Sequence, residues 1–74
     1  MMNTVYIHID ETLDRGDLQR IGSELKRLPQ VTDVELNGRE PHDLLVEYNP
    51  HPTMPMGILQ RLSELGVHTD VTAC

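Results

Sequence analysis

Four short segments with alternating apolar residues and two longer ones with apolar residues every three or four positions follow one another in the order βαββαβ. That order predicts an α+β fold, the ferredoxin-like plait, with a four-stranded antiparallel sheet and two helices on one face. Two further observations support it. Breakers such as Pro29, Asn37-Gly38, Asn49-Pro50 and Gly66 separate the periodic segments. Each helical stripe is one-sided, so neither helix buries its apolar face without the sheet. The 74 residues suit one domain with one small core, taken as 1–74.

The first strand is Thr4 to Ile9, with Val5, Ile7 and Ile9 facing a core and Tyr6 and His8 facing away. From Asp14 to Leu28 the period is helical. Leu18, Ile21, Leu25 and Leu28 share one side, and Arg20, Glu24, Lys26 and Arg27 lie opposite. Pro29 ends this helix, whose acids gather at the start and bases at the end, as its dipole prefers. Val31 to Leu36 is the second strand, with Val34 and Leu36 inward and Asp33 and Glu35 outward. Asn37-Gly38 signals a turn that Arg39-Glu40-Pro41-His42 extends, and Leu44 to Tyr48 is the third strand. Thr53 is the expected cap of a second helix with Pro55 in its first turn and a stripe of Ile58, Leu59, Leu62 and Leu65. Met56 is expected to pack in the core and Met54 to be the more exposed of the two. Gly66 suits a left-handed C-terminal cap, and Val67, Thr69 and Val71 make the fourth strand.

Composition excludes several functions. The formal charge is −6, with two Tyr and neither Phe nor Trp, which is the wrong surface for tracking phosphates and stacking on bases. A single Cys excludes an internal disulfide framework and a Cys-only structural zinc site. Val5-Tyr6-Ile7-His8-Ile9 is too short for a secretory core and runs into Asp10-Glu11, and no apolar run reaches the roughly 20 residues of a membrane span. A cytoplasmic protein without membrane insertion or nucleic-acid binding is the expectation. No enzyme is expected either. Ser23 and Ser63 lack a strand-turn-helix elbow, and no Gly-rich loop can cradle a phosphate.

Three local strings fall in one register without a gap: Leu28-Pro29-Gln30-Val31 after the first helix, Val46-Glu47-Tyr48-Asn49-Pro50 at the end of the third strand, and Leu62-Ser63-Glu64-Leu65-Gly66-Val67 at the end of the second helix. With them the chain resembles the heavy-metal-associated domains, the family of small copper chaperones and metal-ATPase N-terminal domains. Their counterparts there are a Pro-Gly-Val corner, Val-x-Tyr-Asp-Pro, and Gly followed by Tyr or Phe. The resemblance implies metal ion binding or trafficking. In the same register the two Cys of the family's Met-x-Cys-x-x-Cys loop fall on Asp14 and Asp17, and its Met falls on Thr12. Cu(I) requires soft thiolate sulfur in near-linear coordination, so it is not expected at this loop.

Three constellations are candidates for a site. Asp10, Glu11, Asp14 and Asp17 place four carboxylates before and within the first helical turn, a donor set for a hard divalent cation. The same residues also read as a helix start, the commoner arrangement, with Asp14 as N-cap and Asp17 three residues on. His8 and His68 share the outward parity of neighbouring strands, near Asp10 and Asp70, and suit Zn²⁺, Ni²⁺ or Cu²⁺. They also read as two surface histidines. His51, Met54 and Met56 share a loop expected at the opposite end of the sheet, and the thiol of Cys74 has no base beside it.

Two functions follow. One is a metal-binding or trafficking module with Asp14 and Asp17 in place of the family's thiolates and His8 and His68 as the reserve pair. The other is a metal-free module for a protein partner or homodimer, using the open sheet face with Tyr6, His8, Leu45, Glu47 and His68. The first loop discriminates them, because a cap turns Asp14 onto backbone amides while a ligand leaves it free.

Overall fold

The computed structural model describes residues 2–36 and 42–73. The elements are β1 (Asn3–Ile9), α1 (Arg15–Lys26), β2 (Val31–Leu36), β3 (Asp43–Tyr48), α2 (Met56–Glu64) and β4 (Thr69–Ala73). The strands form one antiparallel sheet in the order β2-β3-β1-β4, so the ferredoxin-like plait is what the chain adopts. The turn at Asn37-Gly38, its extension to Pro41, and Cys74 lie outside the described residues.

Alternation places the sheet's inner face as read. Val5, Ile7 and Ile9 of β1 and Leu44, Val46 and Tyr48 of β3 are buried, and Tyr6 points out. In β2 the alternation is interrupted. Its register against β3 shifts between Val31 and Asp33, so Val31 and Val34 are both buried although three positions apart, and Leu36 only partly covers the core. Leu18, Ile21 and Leu25 of α1 and Ile58 and Leu62 of α2 close the core from one side. At its surface the Arg61 guanidinium donates to Glu24 Oε2 at 2.7 Å and clasps α2 to α1.

The entry to α2 differs from its reading. Thr53 is not a side-chain cap. Its hydroxyl pairs with His51 Nδ1 at 2.8 Å, and its carbonyl oxygen accepts the Gly57 N–H at 2.7 Å. Pro55 occupies the N-cap position without a side-chain bond. The two methionines exchange roles: Met54 packs against the core and Met56 is 68% exposed. The helix begins one residue after Pro55, with Met56 on its solvent side. Gly66 has φ +88, the left-handed cap that its position predicts. Val67 is buried just ahead of β4, which starts at Thr69 rather than at Val67.

Candidate metal site

β1 is a central strand, so each outward side chain near its end has neighbours on both sides. His8 lies opposite Asp43 of β3 and opposite Asp70 of β4. Its Nδ1 is 2.9 Å from Asp43 Oδ1. That hydrogen bond raises the His8 pKa above the ordinary 6.5, the charges of Asp43, Asp10 and Asp70 add to it, and partial desolvation opposes it. Near the ring lies His42, with centroids 5.4 Å apart and planes tilted by 34°. His42 continues the ladder of β3: its carbonyl accepts the Ile9 N–H at 2.7 Å, and its Nδ1 donates to Ile9 O at 2.9 Å.

His68 is held differently. Its carbonyl accepts the Asp10 N–H at 2.8 Å, which extends the pairing of β1 with β4. Glu11 takes both the His68 backbone N–H at 2.8 Å and the ring Nδ1 at 2.5 Å. The structure therefore sets Asp70, not His68, across from His8, and His68 lies two residues before Asp70, just ahead of β4. The ring beside His8 is His42.

The Glu11–His68 pair has a pH signature. The hydrogen bond and charge of Glu11 raise the His68 pKa above 6.5, helped by the charge of Asp10 and opposed by desolvation. The bonds from the His68 ring and backbone hold Glu11 below 4.5. A histidine raised on folding stabilises fully below its unfolded value and loses this as pH rises through the folded one. A lowered carboxylate stabilises above its unfolded value and loses this as pH falls through the folded one. Wild-type stability is therefore expected to fall on both sides of mildly acidic pH. Glu11→Gln should weaken both limbs, leaving the share of Glu24, held low by its hydrogen bond from Arg61, on the acid side and that of His8 on the alkaline side. Urea midpoints across about pH 3–9 measure it, and an unchanged profile in Glu11→Gln would refute it.

Asp14 and Asp17 lie at the start of α1. Asp14 Oδ1 accepts the Asp17 N–H at 2.7 Å, the N-cap bond, and Asp17 Oδ1 accepts from Arg20 at 3.1 Å. Each thus has an oxygen already engaged.

Compared by sequence, the chain matches no family model and no curated protein. Compared by structure, it is similar to the N-terminal domain of a potential copper-translocating P-type ATPase from Bacillus subtilis, solved in the Cu(I)-loaded state. The TM-score is 0.86 and the identity 19%, over 99% of this chain and 90% of that one. Oxidised MerP from Ralstonia metallidurans matches with a TM-score of 0.84 at 11% identity, over 97% and 99%. The yeast copper transporter domain Ccc2a matches with 0.79 at 15%, over 92% of each chain. The fold is that of the heavy-metal-associated domains.

Within the heavy-metal-associated fold, β1 ends at Ile9 and the first loop leads into α1 at Arg15, so Asp14 and Asp17 stand at the loop-to-helix junction. The 74 residues contain one cysteine, Cys74, and so no Cys-x-x-Cys. The imidazoles of His8, His42 and His68 gather near this same end of the sheet, at the close of β1, the start of β3 and the approach to β4. His51, Met54 and Met56 belong to the other end, where Tyr48 pairs with Asn3.

Two features escaped the sequence reading. His42 was placed in a loop and given no role, although its place just before β3 was the available signal. Asp33, Glu35 and Glu47 also bring carboxylate oxygens within 4.8 Å of one another, the one such group of three metal-ligating side chains among the described residues. Their outward positions on adjacent strands were the signal there. Asp33 also faces Lys26 Nζ at 3.7 Å, a surface pair of small energetic weight.

Proposed function

We propose that this domain is a metal ion binding or trafficking module that uses imidazoles at the β1 end of the sheet in place of thiolates. One observation carries the reading. His8, His42 and His68 each turn Nδ1 to an oxygen: the Asp43 carboxylate, the Ile9 carbonyl and the Glu11 carboxylate. Metal-binding histidines are held this way, because an acceptor at one ring nitrogen orients the ring and leaves the lone pair on the other. The copper-translocating ATPase domain and the yeast copper transporter domain, similar in fold, are named for metal transport, which supports the assignment. A metal-bearing protein in the cytoplasm is the natural partner. Asp14 and Asp17 are the second candidate pair. An ion there must displace the Asp17 N–H from Asp14 or share its oxygens with it.

The test is an amide-resolved NMR titration of the reduced protein with Cu(I), Zn²⁺, Ni²⁺, Mn²⁺ and Ca²⁺. Saturable shifts are expected with Zn²⁺ and Ni²⁺ in residues 8–11, 42–43 and 68–70, and they should persist when Asp14 and Asp17 are both changed to Ala. No saturable shift with any ion below about 1 mM would overturn the reading.

One observation favours a second reading. The open face exposes Tyr6 to 47%. There Tyr6 lines a shallow cleft of about 450 Å³ together with Leu36, Leu45 and Thr72. A protein-interaction or homodimerisation module would cover that face. A doubled mass in sedimentation, with no response to any ion, would favour it.

A further inference from the structure

Resting on the metal-binding reading, we propose that His8 and His42 are the chelating pair, and that they take a borderline divalent cation of the Zn²⁺ and Ni²⁺ class through their Nε2 atoms. Ile9 O can only accept, so His42 carries its proton on Nδ1, and the neutral ring has its lone pair on Nε2. The Asp43 carboxylate imposes the same tautomer on neutral His8. The two rings are thus prepared alike, one by a backbone carbonyl and one by a carboxylate.

Their separation suits one ion. An imidazole bound to Zn²⁺ through nitrogen holds its centroid about 3.2 Å from the metal, so two in a tetrahedral shell have centroids about 5 Å apart. The observed separation is 5.4 Å. Charge agrees with this geometry: Asp70 lies opposite His8 in register, and Asp10 and Asp70 both act on its ring. Two imidazoles amid carboxylates, without sulfur, suit Zn²⁺ or Ni²⁺ better than Cu(I). They equally disfavour Ca²⁺ and Mg²⁺, which prefer shells of oxygen. Water completes the coordination, since among the described residues no carboxylate converges with both rings. Asp43 is a positioning residue, touching the ring and not the ion.

Isothermal titration with Ni²⁺ compares wild type with His8→Ala, His42→Ala, His68→Ala, Asp43→Asn and His51→Ala. His8→Ala and His42→Ala are each expected to weaken Ni²⁺ binding at least about 100-fold, and Asp43→Asn about 10- to 100-fold. His51→Ala, at the far end of the sheet, should match wild type within about twofold. Binding should also tighten as pH rises, because the ion displaces protons from the rings. Long-range ¹H–¹⁵N spectra of the wild type give a readout free of mutation. With Zn²⁺, the Nε2 resonances of His8 and His42 should move while both Nδ1 atoms keep their protons. If Ni²⁺ binds but His42→Ala binds as wild type does, or if His68→Ala alone abolishes binding, the pair is wrong and the metal reading stands. If the wild type binds neither ion, both fall.

Discussion

Leu62→Ala is expected to lower the melting temperature by about 10–30 °C, and Met56→Ala to leave it nearly unchanged. Leu62 has no exposed surface, at the centre of the face that α2 presents to the sheet. Truncating a fully buried Leu costs about 2–5 kcal/mol in lost transfer energy and residual cavity. A domain of this length is stable by only about 4–11 kcal/mol. In so small a protein each kcal/mol is worth about 4–8 °C. Met56 is 68% exposed, and such surface changes stay within about 0.5 kcal/mol. Thermal unfolding followed by circular dichroism measures both. Equal losses at the two positions would mean that α2 is rotated about its axis from the orientation described.

The second large effect is a gain. Asp14→Cys combined with Asp17→Cys, in a Cys74→Ser background, is expected to give Cu(I) binding that the unmodified loop lacks. The increase should be on the order of a thousandfold or more against a competing chelator, because two soft thiolates replace two hard carboxylates. Asp14 is the N-cap of α1 and Asp17 lies three residues on, at the end of a helix that stabilises negative charge. A cysteine there has a lowered pKa and is more readily a thiolate at neutral pH. Losing the bond from Asp17 N–H to Asp14 costs about 1 kcal/mol, which a folded domain tolerates. The similarity in fold to a domain solved in the Cu(I)-loaded state motivates the experiment. If the double variant folds yet loses copper to the competitor as readily as wild type, the first loop has departed from a metal-holding shape. The proposed imidazole site is independent of this result, since neither aspartate contributes to it.

The parts of the molecule governed by near neighbours were legible in advance. Val5, Ile7 and Ile9 alternate because a strand turns successive side chains to opposite faces. Leu18, Ile21 and Leu25 share a face because a helix repeats every 3.6 residues. Asp14 and Gly66 announce helix ends through local chemistry, an acceptor for an unpaired amide and a residue free to adopt φ +88. Where local rules competed, the reading failed. Thr53 and Pro55 look like a helix start, yet the Thr53 hydroxyl bonds His51, and Met54 rather than Met56 reaches the core. The break in alternation at Val31 could not be seen either, since a register shift needs two strands.

The amino-acid sequence by itself determined the order of elements, the side of β1 that faces the core and the donor chemistry available, rich in imidazole and carboxylate and poor in thiol. Tertiary structure alone decided which donors meet. His8 finds Asp43 across 35 positions, and His68 finds Glu11 across 57. His42 stands beside His8 only because its carbonyl receives the Ile9 amide. Periodicity reports the direction a side chain takes from its own backbone. Its neighbours depend on inter-strand register, which the packing of the whole sheet and both helices sets at once.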